Sequence, residues 1–453
     1  MNLRKKLILT IILLSYFVTA MDGAVIITGL EKIASELHLS QSALSWVQNA
    51  YVLAWGGFML LGGKLSDTFG RKSILNLSFA IFGISSFIAG ISSSSWLLIF
   101  ARFLQGMGAA ILAPTSLALI VDCFKGMERV KAIAWYSSIS GLGLSVGLVV
   151  GGIFAGLYSW RYGFFINIPI LLFMLVISII VLTTKKEKKQ DHALFDIKGT
   201  VLSVIGIFTF VYAINGARSP WLWLLLSILV LSIFIMVEAK AEAPIMPLRL
   251  FDFRRSRANF ARILFSGSMM GFYFFISEYL QEALHLSPLW IGVAFFPLTL
   301  STFIAAIEVP KAIRRFGNMK VLFFGQLLML SGFIMMLDLN RDSFYWEGIA
   351  IPMLFLGFGQ GLTMSPLTNI GIAGVGQKDT GAASGIVNAA HQIGCSVGLS
   401  VMVSASASVS GIIPTCHVAM MTGLAFTILS IGTLFIRKQY ITRITLISKE
   451  WKR

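Results

Sequence analysis

Apolar runs of about 20 residues recur along this chain from one end to the other. A helix needs about 20 predominantly apolar residues, each rising 1.5 Å, to cross a bilayer core. Backbone N–H and C=O groups in lipid must be satisfied within the segment, so such runs predict helices. Fourteen spans are expected, at residues 7–30, 43–63, 74–92, 97–121, 132–156, 162–183, 197–215, 220–238, 259–280, 289–308, 319–338, 347–367, 382–404 and 416–436. Composition agrees. The chain is 57% hydrophobic and 12% charged, with mean hydropathy +0.83, whereas soluble domains carry roughly 25% charged residues. The expected fold class is therefore an all-α membrane protein.

The formal charge is +16. In a soluble protein that points to nucleic acid. Here the basic residues cluster in short segments between apolar runs, the pattern that sets membrane topology. With the N-terminus inside, the outside loops hold Lys32, Arg161, Arg218 and Arg341, while Arg102 and Arg262 lie within spans. The rest of the 36 Lys and Arg fall inside, facing an anionic leaflet. Both termini are expected in the cytoplasm, and no nucleic-acid partner is expected. Spans seven and eight sit between basic segments at Lys185 to Lys189 and Arg249 to Arg257. The start, Met1 to Lys6 before an apolar run, has the look of a signal peptide. The run continues to about Leu30 without a small-residue cleavage site, and is read as a retained first span.

Other chemistries lack their residues. Cys123, Cys395 and Cys416 are far apart, with no disulfide or metal spacing. There is no phosphate loop, no H-E-x-x-H and no nucleophile elbow. Neither an ATP engine nor an enzyme is expected, and no cofactor. A channel would show a repeated filter motif, which is absent.

Charge inside the spans marks the candidate site, because ionisable groups in lipid face a cavity or a partner. Asp22 lies roughly 23 Å into span one from the inner boundary at 1.5 Å per residue, and about 8 Å from its outer end. Arg102 enters with span four from outside and lies roughly 9 Å deep. The two share a depth, so Asp22 and Arg102 are expected to pair. A proton-exchanging pair and a structural salt link are the two readings. Glu278, near the outer end of span nine, and His391, beside Gln392 in span thirteen, are candidates for a second proton or substrate site. The plainer readings are a solvated helix end and a satisfied interhelical histidine. Trp46, Asn49, Tyr51, Gln105, Tyr273, Phe275, Gln281 and Gln392 are the cavity candidates, the aromatics suiting cationic amphiphiles. A tight basic loop runs from Gly63 to Lys72. In it Gly63, Asp67, Gly70 and Arg71, together with Asp122 at the end of span four, are expected to form a conformational latch. Gly143, Gly147, Gly151 and Gly152 make span five a close-packing helix. A weak internal echo links Phe69-Gly70-Arg71-Lys72 with Phe316-Gly317-Asn318-Met319-Lys320.

At these residues the sequence resembles the major facilitator superfamily, in its fourteen-span drug:proton antiporter branch. Gly63 to Lys72 resembles the signature between spans two and three. Arg102-Phe103-Leu104-Gln105-Gly106-Met107-Gly108 is similar to the span-four motif linked to proton coupling. Ser145 to Gly152 is similar to the antiporter motif of span five, and Trp160 to Pro169 to the segment opening span six. Tyr279-Leu280-Gln281, Gly292 to Pro297 and Gly381 to Gly385 match the second half. Two departures stand out. Leu148 occupies the position of the motif's Pro. Ala24 and Ile27 replace a Thr and an Asn near Asp22, so Asp22 is expected to have lost its hydrogen-bonding neighbours.

The resemblance implies the major facilitator fold: fourteen transmembrane helices, as two six-helix bundles plus an inserted pair. The divisions are an N-terminal bundle at 1–184, the inserted pair and linkers at 185–258, and a C-terminal bundle with a basic tail at 259–453. It implies a monomer, and the basic start and size of the chain suit a bacterial inner membrane. Such a protein exports amphipathic, often cationic drugs or antiseptics by alternating access, driven by a proton gradient. A transporter of one metabolite or lipid-like molecule is the other reading.

Overall fold

The computed structural model describes residues 3–182, 196–215, 217–241, 244–340, 343–375 and 380–435. The basic segment at Lys185 to Lys189, Arg341 and the basic tail lie outside the described residues. The chain is helical throughout. The first helices are α1 (Leu3–Val25), α2 (Leu30–Leu37), α3 (Gln41–Phe69), α4 (Arg71–Gly90), α5 (Ser95–Cys123) and α6 (Gly126–Leu157). There follow α7 (Tyr162–Phe165), α8 (Asn167–Val181), α9 (Ile197–Ile214), α10 (Pro220–Lys240) and α11 (Phe253–Glu282). The last are α12 (Pro288–Ala294), α13 (Phe296–Phe316), α14 (Asn318–Met335), α15 (Ile351–Gly371), α16 (Thr380–Ser406) and α17 (Ile412–Phe435).

Twelve helical stretches among the described residues are long and apolar enough to cross a membrane. This is a multi-pass membrane protein. Two of the fourteen expected spans, α3 and α6, fall outside the twelve. Gln48 and Asn49 interrupt the apolar sequence of α3, and the apolar part of α6 is Leu142–Leu157. The first span also ends sooner than expected. α1 stops at Val25, a 3-10 turn occupies Ile27–Gly29, and α2 follows with Leu30 and Ile33 buried and Glu31 and Lys32 exposed. That is the amphipathic pattern of a helix on the bundle surface.

Local chemistry fixes the helix ends. Ser40, Ser94, Asp196 and Asp252 each accept a backbone N–H three residues on, capping α3, α5, α9 and α11. The echo between the halves reappears in the backbone. Gly70 (φ 90°, ψ 138°) joins α3 to α4, and Gly317 (φ 80°, ψ 160°) joins α13 to α14. That conformation is essentially restricted to glycine.

Helices α1, α3, α4, α5, α6 and α8 pack among themselves, as do α11, α13, α14, α15, α16 and α17. The two groups meet along α3 against α16, and along α6 against α12 and α13. Helices α9 and α10 pair with each other, and α9 also lies against α3 and α16. Glycines make the contacts of α6 close. A Cβ on Gly147 would sit 2.6 Å from the Met21 carbonyl oxygen, and one on Gly143 2.8 Å from that of Phe17. Gly151 faces α1 in the same way, against Val25, whereas Gly152 faces the other group, against the Pro288 carbonyl. One helix thus presents two glycine faces, one inward to its own group and one across the seam. α6 runs unbroken through Leu148, which keeps the backbone N–H that a proline would lack.

Candidate functional site: a buried ion pair in the N-terminal helix group

Asp22 lies three residues before α1 stops, and Arg102 about two turns into α5. The side chains meet: Arg102 Nη1 donates to Asp22 Oδ2 at 2.5 Å. Asp22 is 1% exposed and Arg102 is fully buried. Matching of depth along two antiparallel helices brings together residues 80 positions apart.

Further contacts reach the pair from four other segments. Asn167, at the start of α8, donates to Asp22 Oδ1 at 2.7 Å. Gln105, one turn beyond Arg102, donates to the same oxygen at 3.2 Å and to Ser86 Oγ of α4 at 2.8 Å. Gln105 Oε1 accepts from Arg102 Nη1 at 2.9 Å, and the Val47 carbonyl of α3 accepts from Arg102 Nε at 3.1 Å. The Tyr51 ring lies 4.0 Å beneath the guanidinium, and its hydroxyl donates to the Thr19 carbonyl. Phe164 of α7 closes the other side at 5.9 Å. Asp22 therefore has hydrogen-bonding neighbours after all. Ala24 and Ile27 contribute none, and Asn167 and Gln105 take their place from other helices. Asn167 and Ser86 are the members that sequence reasoning missed. The Asn-x-Pro at the start of α8 was the available signal.

A buried pair of this kind is balanced. Each charge loses hydration, which the partner and added hydrogen bonds must offset. Arg102 still has one amino group, Nη2, buried without a partner among the described residues. The arrangement can hold a proton-exchanging acid out of water and next to a fixed cation.

Other predicted residues lie elsewhere. Tyr51 and Gln105 belong to the ion-pair shell rather than to a cavity wall. Trp46 stacks on Phe208 and Tyr212 of α9, with ring centroids at 6.1 and 6.3 Å, and so faces the helix pair. Asn49 and Gln392 sit on the seam: Asn49 donates to Ser400 Oγ of α16 at 2.9 Å, and Gln392 packs against Gly56. Tyr273 lines a narrow crevice with Ile27, Leu30, Gln48, Met270 and Phe274, with no room for a water molecule. Phe275 is fully buried against Phe274. Gln281 donates back to the Ser277 carbonyl of its own helix. Glu278 accepts from Gln41 Nε2 at 2.9 Å, joining α11 to α3. Beside it the Ser277 hydroxyl donates to the Ile27 carbonyl at 2.6 Å. This end of the seam is stitched shut. His391 lies 6.4 Å from the Phe265 ring, with Nδ1 buried and unpartnered.

Two members of the expected latch, Arg71 and Asp122, meet. Arg71 binds Asp122 at 3.2 Å and Ser66 at 3.1 Å. Both contacts join helices of the N-terminal group, so neither crosses the seam. The Asp67 side chain lies outside what the structure describes. Gly63 packs on Pro114 of α5.

Residues 12–399 match the Major Facilitator Superfamily. The chain belongs to the major facilitator superfamily. It is 32% identical over 411 residues to the puromycin resistance protein pur8 of Streptomyces alboniger, covering 87% of this chain and 80% of that protein. It is 30% identical to the cephamycin export protein CmcT of Amycolatopsis lactamdurans, covering 87% and 83%. It is 34% identical to the MFS-type transporter EfpA of Mycobacterium tuberculosis, covering 83% and 72%. Among solved structures, the nucleoside transporter NupG superposes with a TM-score of 0.68 at 12% identity, covering 94% of this chain and 98% of that one. At that identity the likeness shows the fold alone. As a major facilitator protein the chain is a membrane transporter and not an enzyme.

Proposed function

We propose that this chain is a proton-driven antiporter that exports amphipathic molecules, often cationic, from the cytoplasm by alternating access. The observation that carries the reading is the Asp22–Arg102 pair. An acid and a base are sealed in the N-terminal helix group, where a charge needs a functional or structural reason to persist. The export and resistance roles named for pur8 and CmcT support the direction.

In this reading α3 and α6 complete fourteen spans, and α9 with α10 is a pair inserted between six-helix bundles. The divisions fall at 1–184, 185–258 and 259–453. Both termini face the cytoplasm of a bacterial inner membrane, and the protein works as a monomer with the proton gradient as its energy source. Substrate enters between the bundles while Asp22 is ionised. The bundles rock outward, a proton from outside takes Asp22, and substrate leaves. The return step delivers the proton inside.

The test is substrate-induced proton movement in proteoliposomes. Addition of an antiseptic cation should move protons through the wild type and not through Asp22→Asn. Coupling that survives in the mutant moves the proton carrier elsewhere, with Glu278 or His391 next. Failure of the wild type to move protons with a broad panel sinks the reading in favour of a dedicated metabolite.

A further inference from the structure

The C-terminal helix group holds a second cation at the core of the protein. Arg262 of α11 is 2% exposed. Its Nη1 donates to Thr368 Oγ1 at 2.7 Å and to the Met364 carbonyl at 3.1 Å, both on α15. Its Nε is buried and has no hydrogen-bond partner among the described residues. No carboxylate pairs with it among the described residues. Its titratable neighbours are Tyr16 of α1, and His391 and Cys395 of α16. Tyr16 belongs to the other helix group, where it stacks on Tyr136 at 4.4 Å. Gln392, next to His391, packs against Gly56 of α3, so this cluster, in the stretch of α11 nearer its start, borders the seam between the groups.

A guanidinium sealed from water with a free N–H is costly. Two contacts to α15 offset part of that cost. Among the described residues no acid cancels the charge, and Nε is left without an acceptor. His391 adds a second buried polar atom, Nδ1, without a partner on the neighbouring helix. An unpartnered N–H on a fixed cation suits an oxyanion, since the arginine fork matches carboxylate, sulfonate and phosphate geometry. The His391 imidazole on the adjacent helix can donate as well, in its Nδ1–H tautomer.

We propose that Arg262 docks an oxyanion on the amphipathic cargo, in the seam between the two helix groups, with His391 as its second contact. The proposal rests on the transport reading for its route of entry: the groups must part to admit the anion. It extends the substrate range from cations to anionic and zwitterionic amphiphiles, with Asp22 and Arg262 answering opposite charges.

The experiment is equilibrium binding to the full chain in detergent, read by fluorescence anisotropy. The probes are 6-carboxyfluorescein, an anion, and ethidium, a cation. Arg262→Gln should weaken carboxyfluorescein by about tenfold or more, the loss expected for a charged hydrogen bond. Ethidium should change by less than about twofold, since a cation draws nothing from the arginine fork. Arg262→Lys should recover part of the anion affinity, because charge is kept and the fork is lost. If Arg262→Gln does not fold, Arg262→Lys must show the same asymmetry between dyes. The proposal is overturned if the wild type binds ethidium and not carboxyfluorescein, or if both dyes weaken together. Anion binding that depends on Arg262, in a protein that moves no protons in vesicles, would support this site while sinking the antiport reading.

Discussion

Arg102 and Arg262 are both withdrawn from solvent, one in each helix group, and their surroundings differ in kind. Arg102 has Asp22 at 2.5 Å, with Gln105, Asn167 and Ser86 completing a network drawn from α1, α4, α5 and α8. Arg262 has a hydroxyl and a carbonyl from one helix, and no acid among the described residues. A paired buried charge is part of the architecture, because removing one partner strands the other. A buried charge without an acid has little architecture depending on it. The comparison teaches that charge inside a membrane protein has to be judged by its partner as well as its depth.

The contrast is sharpest in stability. Asp22→Ala strands Arg102 and should cost about 3–5 kcal/mol, read as a large fall in the unfolding midpoint in detergent. Arg262→Met replaces a cation that pairs with no acid among the described residues, and should cost clearly less in the same assay. Equal losses would break the comparison. Next in size, Asn167→Ala removes a charged hydrogen bond to Asp22 and should cost about 1.5–3 kcal/mol. Its effect should shrink in an Asp22→Ala background to what its longer bond to Ser86, at 3.4 Å, supplies, as a double-mutant cycle would show. Gly147→Val forces a side chain against the Met21 carbonyl and should cost about 1–3 kcal/mol by overpacking. Arg71→Ala breaks a half-exposed contact to Asp122 and should cost no more than about 1 kcal/mol.

The smallest effect concerns Glu128, which Lys5 binds at 2.6 Å across the ends of α1 and α6. The Lys5 hydrogen bond holds the Glu128 carboxyl below its usual value of 4.5. A lowered carboxyl stabilises the fold above that usual value and loses its contribution as pH falls through the lowered one. Glu128→Gln should therefore leave the midpoint unchanged between pH 6 and 8 apart from the loss of one solvent-screened contact, and should flatten its fall below pH 4.5. A titration of the unfolding midpoint for both proteins checks this.

Much of the architecture was legible in the chain. Twenty-residue apolar runs require helices, because lipid offers the backbone no other partner. Asp22 and Arg102 could be matched because rise per residue converts sequence position into depth, and depth is shared by every helix crossing the same bilayer. The glycine echo was legible for a similar reason: Gly70 and Gly317 occupy a backbone conformation that other side chains resist.

Rotation about each helix axis, and which helices neighbour each other, are what depth does not give. Trp46 turned toward α9, Arg71 and Asp122 joined helices of one group, and Asn167 reached Asp22 from 145 positions away. In a helix nearly all apolar, periodicity gives little sign of which face is buried, so sequence left those contacts open. The sequence by itself determined that the chain is built of membrane-length helices and that one acid pairs with one base. The tertiary structure decided which polar atoms complete that pair, and that Arg262 meets no acid among the described residues, since both depend on how neighbouring helices are turned toward one another.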